Sequence, residues 1–509
     1  MNAVAAASWR PLRALLGGQI DVPPETEVAD LTLDSRAAGP GSAFLAVRGQ
    51  HAHGLEYARE AVARGARIVL WEPAPGIAPP TFDADVHVIA VPDLGRQAGY
   101  IADRFFGAPS AALSVIGITG TNGKTTCAWL LAQALAACGR ESRYLGTLGS
   151  GRVGALTAGT HTTPDAVALQ RLLGAWRDAG ATHVAMEVSS HALDQERCAG
   201  VRFHSAAFTN LSRDHLDYHR DMRAYGEAKA RLFDWPTLAA RVINVDDAFG
   251  VELAGRAHPG ARLILTTRRT SAATTALAAL PAALVLRALE VEVRPDGLAF
   301  GVEAAGQRAR LASRLLGEFN VDNLLGVLGV LLALDVPLAE GCAALAQCSA
   351  PPGRMQASGG GALPLVIVDY AHTPDALDKA LRAARAHCAA RLWCVFGCGG
   401  DRDAGKRAAM GAAAAALADE LVVTDDNPRG EDPTAIVAAI LEGIERREHV
   451  RVEHDRAAAI GGAVAAASAG DVVLVAGKGH EDYQIVRGER RAFSDLAAAR
   501  AALARRSAA

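Results

Sequence analysis

Short, continuous apolar runs rich in β-branched residues recur along this chain, separated by Gly-rich turns and amphipathic Ala/Leu segments. Ser114–Thr119, His183–Val188, Arg241–Val245, Val366–Tyr370, Leu392–Phe396, Leu421–Asp425 and Val472–Ala476 all have this form. A strand that is apolar at successive positions is buried on both faces, and strands alternating with helices are joined by crossovers that supply the cover. The pattern predicts an α/β protein built on mostly parallel sheet. A chain of 509 residues is long enough for several domains, at roughly 150 residues each. Gly107-Ala108-Pro109-Ser110 and Ser349-Ala350-Pro351-Pro352-Gly353 break the pattern, because proline removes a donor and disfavours helix before it. Three domains are therefore expected, with cuts near 110 and 349: 1–110, 111–349 and 350–509. The Ala-dense stretch Ala408–Ala418 reads as a plain helix.

Composition narrows the class. Lys+Arg 52 against Asp+Glu 55 leaves −3, so no bulk positive field points to nucleic acid or anionic lipid. The longest apolar stretch, Leu324 to Leu334, is about half the length of a membrane span. No basic region precedes the Ala-rich start, so no secretory signal is expected. Eight cysteines without a C-x-x-C pair indicate neither a disulfide framework nor a zinc site. A reducing cytoplasm is the expected location.

The strand Val115–Ile118 runs into Thr119-Gly120-Thr121-Asn122-Gly123-Lys124-Thr125-Thr126 and then a helical pattern, Cys127–Cys138. Strand, Gly-rich turn, Lys-Thr and helix form a phosphate cradle. Backbone N–H groups face the anion, Lys124 reaches the β- and γ-phosphates, and the Thr125 hydroxyl can ligate Mg²⁺. The usual spacing would put a glycine at Ile118; the glycines here are Gly117, Gly120 and Gly123. That variant loop resembles the one of the Mur ligase family, ATP-dependent amide-forming enzymes that build the peptidoglycan precursor. The resemblance extends from Leu33 to Glu481, nearly the whole chain. It implies a smaller N-terminal α/β domain for the uridine substrate, a doubly wound central ATP domain, and a Rossmann-like C-terminal domain for the amino acid. The last must close on the central one before chemistry.

The resemblance also implies roles for single residues. Gly120 to Thr126 would bind ATP with Asn323 on the adenine, Arg354 on phosphate, and Asp369 and His372 near the ribose and phosphates. Glu187 ends a predicted parallel strand, where a carboxylate lies beside the nucleotide crevice and suits Mg²⁺. His215, in the polar block Thr209–His219, falls on the family's metal-binding histidine, and Lys229 on a lysine carbamylated by CO₂. A carbamate turns a cation into an anion that can hold a second Mg²⁺, and two ions would neutralise γ-phosphate and acceptor carboxylate. Leu33, Ser35, Gln50, His51 and Ala52 match contacts to UDP, although Gln50-His51 reverses the family's common order. Thr162, Thr163, Ser189, Gln195 and Arg197 match positions that hold the muramoyl dipeptide.

Thr424-Asp425-Asp426-Asn427-Pro428-Arg429 ends another predicted strand. A guanidinium in a cleft binds a carboxylate bidentately. meso-Diaminopimelate differs from L-lysine by one distal carboxylate, and a site built for such a group can reject the lacking analogue by roughly 10⁴-fold. The family's diaminopimelate enzymes carry this Asp-Asn-Pro-Arg; its lysine-adding relatives lack the Arg. Arg402 for a carboxylate, Gly477, and Glu481 for an ammonium complete the match. The expected substrates are ATP, UDP-N-acetylmuramoyl-L-alanyl-D-glutamate and meso-diaminopimelate, acted on by a monomer. Rival readings are a ligase adding lysine, or glutamate to folate, and a phosphate-loop switch protein that forms no amide. No Ser/His/Asp or Cys/His arrangement supports covalent catalysis.

Overall fold

In the computed structural model, which describes residues 9–18, 20–49, 52–159, 161–280 and 283–507, the first sheet has four parallel strands. Asp30–Thr32, Ser42–Ala46, Ile68–Trp71 and His87–Ala90 pair in that order. Successive side chains on a strand face opposite sides, and here both sides are covered. Leu45 and Leu70 pack with Leu12, Ile101 and Phe105, whereas Phe44 and Val69 pack with Leu55, Ala58 and Ala61. The helix Leu94–Phe105 buries Leu94, Ala98, Ile101, Ala102 and Phe105, a stripe at helical spacing.

The next five strands are parallel neighbours in the order Ser142–Gly146, His183–Glu187, Ser114–Thr119, Phe203–Phe208 and Ala240–Asn244. From Ser114–Thr119 the chain steps to one side, and after His183–Glu187 it crosses to the other. A crevice therefore opens at the carboxyl ends, where strand order reverses. Register aligns those ends, with Glu187 opposite Ile118 and Phe208 opposite Thr119. Buried strands of this kind are the ones that the apolar runs predict.

A different segment escaped that pattern. Ala283–Arg294, Gly297–Ala304 and Gln307–Ser313 form an antiparallel meander. The first of them alternates buried with accessible positions over part of its length, and after Leu286 the charges of Arg287, Glu290, Glu292 and Arg294 break up its apolar residues. The helix Asn320–Ala333 follows, apolar on most of its faces.

The last sheet has six strands, in the order Gln356–Gly359, Leu365–Asp369, Val472–Ala476, Leu392–Phe396, Glu420–Val423 and Val450–Val452. Only the first is antiparallel to its neighbour. Ile367, Cys394 and Leu474 join one core, and Val366, Trp393 and Val473 the other. The helix Lys406–Leu417 contains most of the predicted Ala-rich segment.

By contact density the chain divides into two units. One takes in residues as far as Lys124, Gly139–Leu265 and Ala276–Ala283, and the other Thr125–Cys138, Thr266–Thr275 and Leu284 onward. None of the eight cysteines, all among the described residues, is in a disulfide. Among the described residues no helix is long and apolar enough to cross a membrane.

Candidate active site

The phosphate loop is held by the segment after the strand Phe203–Phe208. Thr121 N donates to Asn210 O at 2.8 Å, Asn122 N to Asn210 Oδ1 at 3.0 Å, and Thr209 Oγ1 to Asn122 O at 2.6 Å. Gly120 has φ +147°, and a Cβ there would lie 1.9 Å from Thr209 Oγ1, so only glycine fits. Lys124 folds over the loop, donating to Gly120 O and Thr121 O, both at 2.8 Å. Gly123 also has positive φ. Thr125 and Thr126 open the helix Lys124–Ala137 and are buried.

Lys229, on the helix Met222–Ala230, is 1% exposed and donates to the same Gly120 carbonyl at 2.8 Å. Its Nζ lies 4.3 Å from the centre of the Tyr225 ring. Burial, with the neighbouring Lys124 charge, pulls its pKa well below the ordinary lysine value, which favours the neutral amine. A neutral buried amine is the form that adds CO₂, so the site fits a carbamate.

Glu187 is fully buried at the end of its strand. Its Oε1 accepts from Tyr144 OH at 2.6 Å and Thr147 N at 2.9 Å, and its Oε2 from Thr147 Oγ1 at 3.2 Å. Around it stand the residues matched to the acceptor. Thr162 Oγ1 is 3.1 Å from Thr147 Oγ1. Thr163 Oγ1 donates to Glu187 O at 2.9 Å and accepts from Ser189 N at 3.2 Å. Arg197 donates to Thr163 O at 3.1 Å and to Gln195 Oε1 at 2.9 Å. The structure thus brings Thr162, Thr163, Ser189, Gln195 and Arg197 into one network with Glu187.

His215 is left-handed at φ 52° and half-exposed. Its ring meets His191 at 4.9 Å and Tyr225 at 6.0 Å, and its Nε2 lies 3.5 Å from Asp214. Burial, aided by the charges of His215 and His219, lowers the His191 pKa to about 4. Among the described residues no three His, Cys, Asp or Glu side chains form a metal-binding group.

In the short turn Ser35–Ala37 that follows the strand Asp30–Thr32, Ser35 is buried and donates to Glu60 Oε2 at 2.7 Å. Leu33 packs against the N-terminal core. Ala52 O accepts from Gly49 N at 3.1 Å; Gln50 and His51 lie outside the described residues.

Asn323 is buried, donates to Asn320 Oδ1 at 2.7 Å, and accepts from Cys127 Sγ at 3.4 Å. Asp369 accepts from Met355 N at 2.8 Å and Ala371 N at 2.9 Å. Burial raises its pKa while Arg354 opposes the rise. The Arg354 guanidinium stacks 4.9 Å from the Tyr370 ring centre, and that ring meets His372 at 4.6 Å.

The loop after Glu420–Val423 packs backbone against backbone on Gly399-Gly400. Gly400 N donates to Asn427 O at 2.9 Å, and Arg429 Nη1 donates to Gly400 O at 2.7 Å. Arg429 is left-handed at φ 53°. It is strapped to the hairpin Tyr483–Val486/Glu489–Ala492 by Arg429 N to Ile485 O, 3.0 Å, and Arg487 N to Arg429 O, 2.8 Å. Pro428, Arg429, Glu431, Arg487 and Arg491 line a pocket of about 290 Å³. Asp426 and Asn427 are buried, Gly477 has φ +119°, and Arg402 is exposed. Asn427 Nδ2 donates to Glu481 Oε2 at 2.9 Å.

Sequence reasoning missed Tyr144, Thr147, Tyr225 and Lys478, which hold the predicted residues in place. Only Lys478 carried a legible sign, a lysine between two glycines at a strand end.

A parallel sheet with this loop and helix at its switch point defines a phosphate-loop nucleotide-binding enzyme. Three family models match in tandem: "Mur ligase family, catalytic domain" over 27–106, "Mur ligase middle domain" over 118–331, and "Mur ligase, glutamate ligase domain" over 353–479. The chain belongs to the Mur ligase family. It is 52% identical over 477 residues to the UDP-N-acetylmuramoyl-L-alanyl-D-glutamate–2,6-diaminopimelate ligase of Ectopseudomonas mendocina (strain ymp), covering 94% of this chain and 95% of the relative. It is 49% identical to the ligase of that name from Pseudomonas aeruginosa, with 94% and 95% covered. A solved structure of a ligase with the same name superposes at TM-score 0.73 and 34% identity, covering 98% of this chain and all of that one (100%). The α/β expectation is borne out.

Proposed function

We propose that this chain is an ATP-dependent ligase that joins meso-diaminopimelate to the D-glutamate γ-carboxylate of UDP-N-acetylmuramoyl-L-alanyl-D-glutamate. The carrying observation is the Asp426–Arg429 loop at the end of a parallel strand, in a chain that shares half its residues with ligases of that description. ATP transfers its γ-phosphoryl group to the carboxylate, giving an acyl phosphate and ADP. An amine of diaminopimelate attacks the carbonyl carbon, phosphate leaves from the tetrahedral intermediate, and the nitrogen loses a proton.

The chain's residues divide this work among the three expected domains, 1–110, 111–349 and 350–509. Leu33, Ser35 and the segment through Ala52 take the uridine end; Thr162, Thr163, Ser189, Gln195 and Arg197 take the peptide. Phosphate-loop amides and Lys124 hold the transferred phosphoryl, Asn323 the adenine, and Arg354, Asp369 and His372 the ribose and phosphates. Mg²⁺ ions on Thr125, Glu187, His215 and a carbamylated Lys229 would screen phosphate from carboxylate. Arg429 and Arg402 hold the distal carboxylate of diaminopimelate, and Asp426 and Glu481 an ammonium. The enzyme works as a cytoplasmic monomer, with no nucleic-acid partner.

The test is phosphate release from ATP with meso-diaminopimelate or L-lysine, each with and without the acceptor. Release should require acceptor plus diaminopimelate and fall by roughly 10⁴-fold with lysine. Equal rates with lysine would remove the Arg429 argument but keep the ligase. Release indifferent to every substrate would point to the switch protein.

A further inference from the structure

The carboxyl ends of Glu420–Val423 and Val472–Ala476 enclose a lysine to which the reaction scheme gives no task. The Lys478 side chain is 0% exposed. Its Nζ donates to Asn427 Oδ1 at 2.9 Å, Asp426 Oδ1 at 3.2 Å and Glu481 Oε2 at 3.3 Å. Three protons thus meet three acceptors, with the Tyr483 ring centre 5.7 Å away. An ammonium this buried is tolerated only when paired. Its partners are the residues assigned above to diaminopimelate, and the inference rests on that assignment.

We infer that Lys478 is a positioning residue for the amino-acid substrate. Its ammonium locks Asp426, Asn427 and Glu481 into one preformed wall and sets the wall's charge. Asn427 Oδ1 accepts from both Lys478 Nζ and Ile485 N (2.9 Å), which turns Nδ2 toward Glu481. Glu481 Oε2 is then held by two donors, which fixes that oxygen in the wall and assigns Oε1 to the ligand. Gly477 contributes through its backbone: φ +119° is a conformation that a side chain would strain, whereas a Cβ there would be only in ordinary contact with Asp426 Oδ2, at 3.5 Å. Asp426 and Glu481 against Lys478 leave the wall one net negative charge, which one substrate ammonium neutralises. The nearby Arg456 does not alter this balance, because Asp495 pairs with it at 2.7 and 2.8 Å. Without Lys478, the two carboxylates would face each other across the wall with no cation between them, and the wall would open.

The test compares full-length wild-type enzyme with Lys478→Met, which keeps the shape and removes the donors, and with Lys478→Gln, which keeps an N–H donor. Steady-state rates are measured while diaminopimelate, ATP and acceptor are varied in turn, beside far-UV circular dichroism and Tm. The expected result is a KM for diaminopimelate raised about ten- to a hundredfold in Lys478→Met. Lys478→Gln should fall between, and the KM values for ATP and acceptor should stay within about twofold. An unchanged KM for diaminopimelate, or equal changes for all three substrates, overturns the inference. So does failure of both variants to fold, since the ammonium would then hold the fold and not the pocket. Wild-type enzyme that accepts lysine as readily as diaminopimelate refutes the underlying assignment instead, and is recognised before any variant is made.

Discussion

Lys229 places an amine where water does not reach, against a carbonyl that already has a donor. Gly120 O accepts from both Lys124 and Lys229, so losing Lys229 would leave no orphaned acceptor. Its folded pKa lies well below 10.5 because burial and Lys124 disfavour the charge. The unfolded chain therefore binds more protons, and this residue's contribution to stability rises with pH from the folded pKa up to the unfolded one. Below that window, an uncompensated charge must be buried. Lys229→Met should accordingly raise Tm by about 2–4 °C at neutral pH while lowering kcat about 10²–10³-fold. If the amine is carbamylated as proposed, a short carboxylic acid added to Lys229→Ala should restore part of the rate by standing in for the carbamate. Calorimetry and phosphate release check both halves; a variant that is less stable and still active would refute the account. Stability given up at one buried amine is the expected mark of a residue kept for chemistry.

At the scale of elements, the strand–loop–helix from Ser114 to Ala137 depends on one backbone position. At Gly120 a Cβ would meet Thr209 Oγ1 at 1.9 Å and Asn210 backbone at 3.0 Å, whereas at Gly139, φ +72°, nothing lies within 4 Å. Gly139→Ala should lose only the backbone strain, about 1 kcal/mol. Gly120→Ala should lose about 2–4 kcal/mol and its ATP binding, as read by urea melts and nucleotide titration. Equal losses would show that strain, and not the clash with residues 209–210, makes this glycine necessary. This element was legible because its glycines, Lys124 and Thr125 are contiguous. So were the buried parallel strands, whose apolar runs announce two covered faces. The meander at Ala283–Ser313 was not, because a half-exposed strand interleaves charge with apolar residues. The partners of Glu187 were hidden for another reason: Tyr144 and Thr147 lie 43 and 40 residues away, and only the parallel register of two strands makes them neighbours. Lys478 had a local sign, but its three acceptors come from two loops 51 residues apart.

For the whole molecule, the residues assigned to diaminopimelate all fall beyond the cut expected near 349. The sheet that carries them is covered on both faces by side chains from the same stretch, including the fully buried Trp393 and Phe396. It also contains its own buried ion pair, Arg456 with Asp495. Contact density, by contrast, groups everything from Leu284 onward. His387 is one reason: its Nε2 accepts from Gly317 N at 2.8 Å and its Nδ1 lies 2.5 Å from Arg294 O. Cutting at 349 exposes this imidazole, and burial no longer holds its pKa down. A charged surface histidine costs little, and of the two cores one remains whole while the other loses only Leu316 among its buried residues. The fragment 350–509 should therefore fold with a single cooperative melt. At a hundred times its Kd, meso-diaminopimelate should stabilise it by about 2.7 kcal/mol, or roughly 5–10 °C in Tm at this size, and L-lysine should do far less. The fragment should hydrolyse no ATP, because the phosphate loop lies outside it. If 350–509 aggregates while 284–509 folds and binds, the meander belongs to the amino-acid-binding body and the boundary lies upstream of it.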